Sequence, residues 1–494
     1  MIKRISAVVL LCGLPACLWA REEYTRSFDK TVTLQPGERI RLEHSLGNIE
    51  VHGHPSSGVV IHADIKVSAA DANEAKSFAD NIAILVEPSS SLLSIRTRYP
   101  ERNSSFFGFR NTSYSVRYTI TVPETAPLEI RNSFGAVDVS GMKSNCDVKT
   151  SHGNLTFRDG SGTQRIENSF ASIQVSDNRG DITVENSNAS VNVTDITGAA
   201  SIRNRFGSVN VSDVSKAAAI TNSNGSVNLA SSGGPSAINN SFGSVTASDI
   251  RGGLTVNNNN GKIEVNSVQG NATLSGGFSE VRFSNITGDV TVSNRNGAVN
   301  GRNARGNLTL QNSFGAVDIG DIGGSATITG GNGAVSVSNV KGPVTIQNSF
   351  GLVHTDNTGA LTVHNANSAV QASGVHGNAS VNTSFGGITL DNVSGAVSVG
   401  NQNGAVDVSL SGSTCRPVEI KTSFSPVRVH LPPNPSYHVM ANTSFGKIRS
   451  DLPLQVSGEL TGGGTATVIS GNIGSGQCPL KITNNNGDVQ ILRQ

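Results

Sequence analysis

Along most of this chain, apolar and polar residues alternate with a period of two. The runs are four or five residues long and are separated by short turns. Residues 240–257 show the unit. Asn240-Ser241-Phe242-Gly243 is a turn, and Ser244-Val245-Thr246-Ala247 alternates as a strand. Ser248-Asp249-Ile250-Arg251-Gly252 is a second turn, and Gly253-Leu254-Thr255-Val256 is a second strand. Such alternation is the signature of a half-buried strand. The unit recurs every 18 residues from 132 to 350 without insertion. A fixed short period marks a repeat array, in which each unit buries its apolar face only against its neighbours.

Strands this short and this regular suit a parallel β-solenoid wound from a single chain. The predicted fold class is all-β, with two-strand coils rising by about 4.8 Å each. Four inward side chains per coil are expected, such as Val209 and Val211 on one strand and Leu254 and Val256 on the other. One column carries Phe134, Phe170, Phe206, Phe242, Phe278, Phe314 and Phe350 at every second coil. His152 and then Asn188, Asn224, Asn260, Asn296 and Asn332 stand between them. The ring is wider than one coil step, so the alternation is read as relief of crowding. The Phe rings are expected to face inward at a corner, and Phe242→Ala to cost about 3–5 kcal/mol. A second column is Asn168, Asn186, Asn204, Asn222, Asn240, Asn258, Asn294, Asn312 and Asn348, predicted to hydrogen-bond along the stack. Glycines such as Gly207, Gly225 and Gly243 follow the Phe/Asn column, where positive φ is expected.

Composition agrees. The 494 residues include 55 Gly and 50 Asn, both turn formers, and only 15% are charged. The 37 basic and 36 acidic residues exclude a strongly basic nucleic-acid binder. The first twenty residues read as a secretory signal. Lys3 and Arg4 precede an apolar run from Ile5 to Leu14, which is shorter than the roughly 20 residues of a membrane span. Cleavage after Ala20 is one reading. The other is a lipobox, Leu14-Pro15-Ala16-Cys17, with Cys17 as lipid anchor. Either way the chain is expected to be exported, to the periplasm, the outer membrane if lipidated, or the exterior. In an oxidising compartment Cys415 and Cys478 are candidates for a disulfide, because each precedes a strand of the same pattern.

Residues 21–130 break the period and are read as an N-terminal β-rich cap. It holds strands at 31–34, 39–42, 49–51, 59–67 and 114–122 and a helix over 71–83. Residues 131–410 are the array, and 411–494 are read as C-terminal coils and a cap. Within this frame Leu46-Gly47-Asn48-Ile49-Glu50-Val51-His52-Gly53 forms a glycine turn and strand. Tyr118-Thr119-Ile120-Thr121-Val122-Pro123 leads into Asn132-Ser133-Phe134-Gly135-Ala136-Val137-Asp138-Val139, and Asn484-Asn485-Asn486-Gly487-Asp488-Val489-Gln490-Ile491 ends the chain. These segments resemble the bacterial adhesin-like β-repeat domain of unknown function, akin to the head GIN domain of supposed adhesins. The resemblance implies an envelope location and an adhesive or scaffolding role, and it supplies no catalytic residues.

Chemistry is sparse. An array without insertions leaves no walls for a substrate cleft, so no catalytic residue and no cofactor is expected. Asp177, Asp195 and Asp213 share a turn column and are weak calcium candidates. Ser231, Asp249 and Asn285 continue that column, as residues bonding turn backbone would. His52 and His62 are read as possible cross-strand neighbours. The stretch 96–117 carries Arg98, Arg102 and Arg110 beside Phe106, Phe107 and Phe109. It is the candidate loop for a glycan or partner, against the alternative of a plug over the end of the core. The reading is a non-enzymatic envelope solenoid, an adhesin or scaffold, whose partner is an envelope protein or glycan. A polysaccharide-binding module or degraded lyase, and a filament-forming scaffold, are the alternatives.

Overall fold

The computed structural model describes residues 21–100, 112–456 and 468–494. Residues 1–20, with Cys17, lie outside these, as do Arg102, Phe106, Phe107, Phe109 and Arg110. The described residues form stacked parallel β-coils about 18 residues apart, a β-solenoid with a single α-helix, Ala72–Asp80. Two compact units divide the chain, one ending at Ala171 and the other beginning at Ser172.

In the second unit each strand bonds to its counterpart one coil before and one coil after. Val245–Ile250 pairs with Val227–Ser232 on one side and Ile263–Val268 on the other. Val227, Val245 and Ile263 stand in line. The core is thicker by one residue per coil than the alternation predicts. Asp213 takes a left-handed conformation (φ 55°) inside the strand Val209–Val214. The bend returns the next residue, Val214, to the core beside Val209 and Val211. Ile250, Val268, Ile286 and Ile322 fill the same place in their coils. This fifth core position was hidden because the bend breaks the period of two.

In the first unit, Arg39–Glu43 and Ile49–His54 make a full coil in parallel register with Leu128–Arg131 and Val137–Ser140. The chain then leaves the stack and returns on the opposite side of that coil. Leu92–Arg98 pairs with Arg39–Glu43, and Ser113–Pro123 pairs with Ile49–His54. The earliest coil in sequence is therefore second in the stack. Antiparallel strands follow outside it: Gly58–Ala69 against Ser113–Pro123, Glu22–Thr33 against Gly58–Ala69, and Ala83–Pro88 against Leu92–Arg98. The helix Ala72–Asp80 starts at Asp71, whose side chain accepts from the Glu74 N–H.

The C-terminal end repeats the device. Cys478–Asn486 and Val489–Arg493 lie between the coil of Val418–Phe424 and Val427–Leu431 and the coil of Tyr437–Phe445 and Ile448–Ser450. The last coil in sequence is again second to last in the stack. Cys415 and Cys478 are joined by a disulfide across 63 residues, with Cα atoms 6.0 Å apart. Val468–Ile473 closes Tyr437–Phe445 in antiparallel fashion.

Because the outer coil rests on the inserted one, Ile482→Ala should act at a distance from its own strand. The buried Ile482 side chain is worth about 2–5 kcal/mol. Hydrogen exchange should rise first over 437–473 and leave the coils from 209 to 340 protected. A uniform rise along the unit would contradict this order.

Candidate functional site

The Asn column bonds along the stack as expected, whereas the Phe column does not face inward. Asn240 is buried, and its Nδ2 donates to the Gly243 carbonyl of its own turn and to the Gly225 carbonyl one coil earlier, both at 3.2 Å. Asn204, Asn222, Asn258, Asn294, Asn312 and Asn348 do the same with glycine, serine or, for Asn204, alanine carbonyls. In the first unit Asn168 donates to Gly153 and Ala171, and Asn186 in the second donates to Ala189. These amides bond along the stack through turn backbone and not to each other. Two N–H groups on one flat group are what the turn requires, which selects Asn over Asp.

The amide fills the corner, so the Phe two residues later turns outward. Phe206, Phe242, Phe278, Phe314 and Phe350 are each about half exposed, between 47% and 61%, and so are Phe134 and Phe170 in the first unit. The inward ring is thus corrected: the corner's interior belongs to Asn. Gly243 follows with φ 107°, and a Cβ there would stand 2.4 Å from the Gly225 carbonyl oxygen. Both the torsion and the close approach demand glycine, although Ala189 holds φ 128° at the same place.

Crowding does not explain the alternation. His152 stacks between Phe134 and Phe170 at 4.6 and 4.5 Å between ring centroids, with interplanar angles of 16° and 12°. Flat rings in successive coils therefore pack well. The alternation also follows space, not sequence. Phe385 pairs with Asn403, Asn403 with Phe424, Phe424 with Asn486, and Asn486 with Phe445. The inserted last coil supplies an Asn where the ladder calls for one. Phe445, on the outermost of these coils, is 77% exposed. The ladder of the second unit runs from Asn188 to Phe445, and its exposed apolar rings mark it as the candidate functional surface.

The other candidates fall into place around it. Asp177, Asp195 and Asp213 have φ of 55°, 56° and 55°, a conformation that Asp, Asn and Ser tolerate. Further along, this column is a ladder of side-chain bonds: Asn339 to Asp321 at 3.0 Å, Asn357 to Asn339 at 2.8 Å, and His376 to Asn357 at 2.9 Å. It lines an open groove of about 1030 Å³ together with Arg305 and Lys341. Among the described residues, no group of three or more His, Cys, Asp or Glu is placed to hold a metal ion. His52 and His62 are not cross-strand neighbours, because Ser113–Pro123 lies between their strands. His52 bonds Ser140 and Glu50, and His62 bonds Asp29. Arg98 ends the strand Leu92–Arg98, opposite Ala83.

One buried cluster was not foreseen. His44 is 5% exposed, lies edge-on to Tyr118, and bonds Thr97 Oγ1 at 3.0 Å. The Tyr118 hydroxyl meets the same Thr97 at 2.6 Å. Burial lowers the His44 pKa to about 4 and raises that of Tyr118 to about 12, so both are neutral at pH 7. Thr97, Tyr99 and Tyr118, all far along the chain, cover His44, so no local pattern betrays it.

Two outcomes follow. Phe242→Ala should cost no more than about 1 kcal/mol, whereas Asn240→Ala should cost about 2 kcal/mol through its unpaired turn carbonyls. Denaturation midpoints would show this ranking, and the reverse ranking would return the ring to the core. For His44, the folded pKa lies below that of the unfolded chain. Its contribution is complete above pH 6.5 and is lost as pH falls from 6.5 to about 4. The loss approaches about 3 kcal/mol for that shift. Melting between pH 7.5 and 4.5 should flatten in His44→Gln, and an equal pH dependence in both proteins would refute the assignment.

Comparison with known proteins adds the following. No curated protein matches the chain. A solved structure from Clostridium sporogenes, titled a "putative cell adhesion protein", is 13% identical. The match covers 38% of this chain and 99% of that one, with a TM-score of 0.23. Residues 252–492 match the model of the family described as Toastrack DUF4097. Over that segment, which is just under half of the chain and holds most of the ladder, the chain is similar to the Toastrack family, a β-repeat domain of unknown function.

Proposed function

We propose that this protein is a non-enzymatic component of the bacterial cell envelope that serves as an adhesin or structural scaffold, with the aromatic ladder as its contact surface. The observation that carries this reading is the ladder itself. Half-exposed rings recur through the second unit at every second coil and keep their alternation where chain order is broken. Soluble proteins seldom expose an apolar patch of this extent without a partner for it. The array without insertions offers a repeating surface and no walled cleft, which suits binding an extended partner better than turning over a small substrate.

The signal-like residues 1–20 support export, either as a cleaved chain or held by lipid on Cys17. The disulfide between Cys415 and Cys478 fits an oxidising compartment. The ends speak against a filament built by end-to-end stacking. In the first unit the antiparallel Glu22–Thr33 and Ala83–Pro88 lie outside the coils of both sheets, and in the second Val468–Ile473 lies outside Tyr437–Phe445, where a next copy would need a parallel edge.

The test is a deletion strain complemented with the wild-type chain or with Phe242, Phe278 and Phe314 each replaced by Ser. Both chains should fractionate with the envelope or the medium. Attachment of cells to surfaces or to each other should return only with the wild type. A cytosolic protein, or attachment indifferent to the deletion, would overturn the proposal.

A further inference from the structure

Resting on the ladder as contact surface, we infer that its partner is a second copy of this chain, docked ladder to ladder and antiparallel, with the rings of each copy entering the slots between the rings of the other.

The slots are the starting point. Two coils separate successive rings, a repeat of about 9.6 Å. Between them stands an Asn that folds back onto the preceding coil. Asn260 Nδ2 donates to the Ser241 carbonyl at 3.3 Å, and Asn367 Nδ2 to the Ser349 carbonyl at 3.3 Å. At these positions the slot between two phenyl rings is floored by an amide. The first unit shows what such a slot accepts. There a flat ring, His152, fills it and stacks on both Phe neighbours near 4.5 Å. Centroid separations of about 4.5–7 Å are those of favourable aromatic pairs. In the second unit a ring must come from outside.

Period selects the source of that ring. A second copy has the same two-coil spacing by construction, so every ring stays in register along the whole ladder. A polymer of another chemistry drifts out of register unless its own repeat happens to match. Area agrees. About half of the roughly 200 Å² of each Phe is open, and from Phe206 to Phe445 this comes to about 900 Å². Stable pairs bury about 800 Å² per partner.

Polarity follows from the ends. Within the second unit the ladder runs from Asn188 to Phe445, eight Asn alternating with eight Phe. Turned end for end at full overlap, an alternating ladder of that kind places Phe opposite Asn at every step. Phe314 of one copy then faces Asn332 of the other at the centre. A two-fold axis through that point makes the contact closed and self-complementary. Charges are compatible with it: Arg205 meets Asn485 and Arg295 meets Ser349, so these like charges do not oppose each other. A parallel pair at full overlap instead sets Phe against Phe.

The test uses the purified full chain. Sedimentation should show a dimer, and replacing both Phe278 and Phe350 by Ser should raise its dissociation constant tenfold or more while leaving the melting curve in place. An equimolar mixture of Phe314→Cys and Asn332→Cys chains should form an oxidative cross-link between copies, while neither variant does so alone. A strict monomer at the highest soluble concentration overturns the inference. So does a dimer that tolerates the Ser substitutions or yields no cross-link in the mixture. A monomer whose ladder captures a glycan strand also overturns it, but leaves the adhesive reading standing.

Discussion

Everything in this protein depends on in-register parallel pairing between coils. Backbone N–H groups reach carbonyls of the coils on either side, as Val227 reaches Ser244 ahead of it and Phe206 reaches Ser187 behind it. A residue therefore meets its own counterpart about 4.8 Å away on either side. Any conformation or chemistry adopted once must be compatible with itself when stacked. That condition explains the narrow composition. Branched aliphatics stack on branched aliphatics in the core. Glycine recurs where the corner touches the carbonyl of the coil before. Asn recurs where one amide must bond two turn carbonyls in successive coils. Charged residues are few because a like charge directly above another is unfavourable.

The same condition makes the ends of the array expensive, since the terminal coil has unpaired groups. Both ends meet this in one way. The first coil of the chain, Arg39–His54, and the last, Cys478–Arg493, are held between two other coils. Neither terminus is left as the outermost parallel strand. Antiparallel strands then lie outside, and the disulfide ties the inserted coil to the turn before Val418. This placement keeps the chain's first and last coils from fraying, at the cost of contacts that close only after long excursions. Non-local closure of this type slows folding.

Repetition decided what was legible. The solenoid, its 18-residue coil, the inward Val and Ile pairs and the glycine corner all recur, so each is supported many times over. The insertion of the first and last coils occurs once at each end and leaves no periodic trace. The strands Ala83–Pro88 and Leu92–Arg98 were missed for that reason, and so was the burial of His44, which depends on the distant Ser113–Pro123. The candidate surface was legible as a column but not in its direction. Ile238, Asn240 and Phe242 share one parity along the strand, so alternation alone sends all of them inward. The amide of Asn240 closes the corner first, and the chain turns at Gly243 before Phe242 can follow.

That reversal changes what the ladder means. Inside a corner, alternation of Phe and Asn would be a packing solution and nothing more. On the outside it needs another cause, because His152 proves that adjacent rings stack without strain on spacing. The inserted coil sharpens the point. Asn486 is the last of three consecutive asparagines at the end of Cys478–Asn486, far in sequence from both Phe424 and Phe445, yet it stands between them. Folding asks only for a residue that tolerates this turn, and either Phe or Asn does so elsewhere in the column. An Asn in that coil preserves the spacing of the rings on either side. Spacing is a property of the assembled surface, and only something that meets several rings at once can read it.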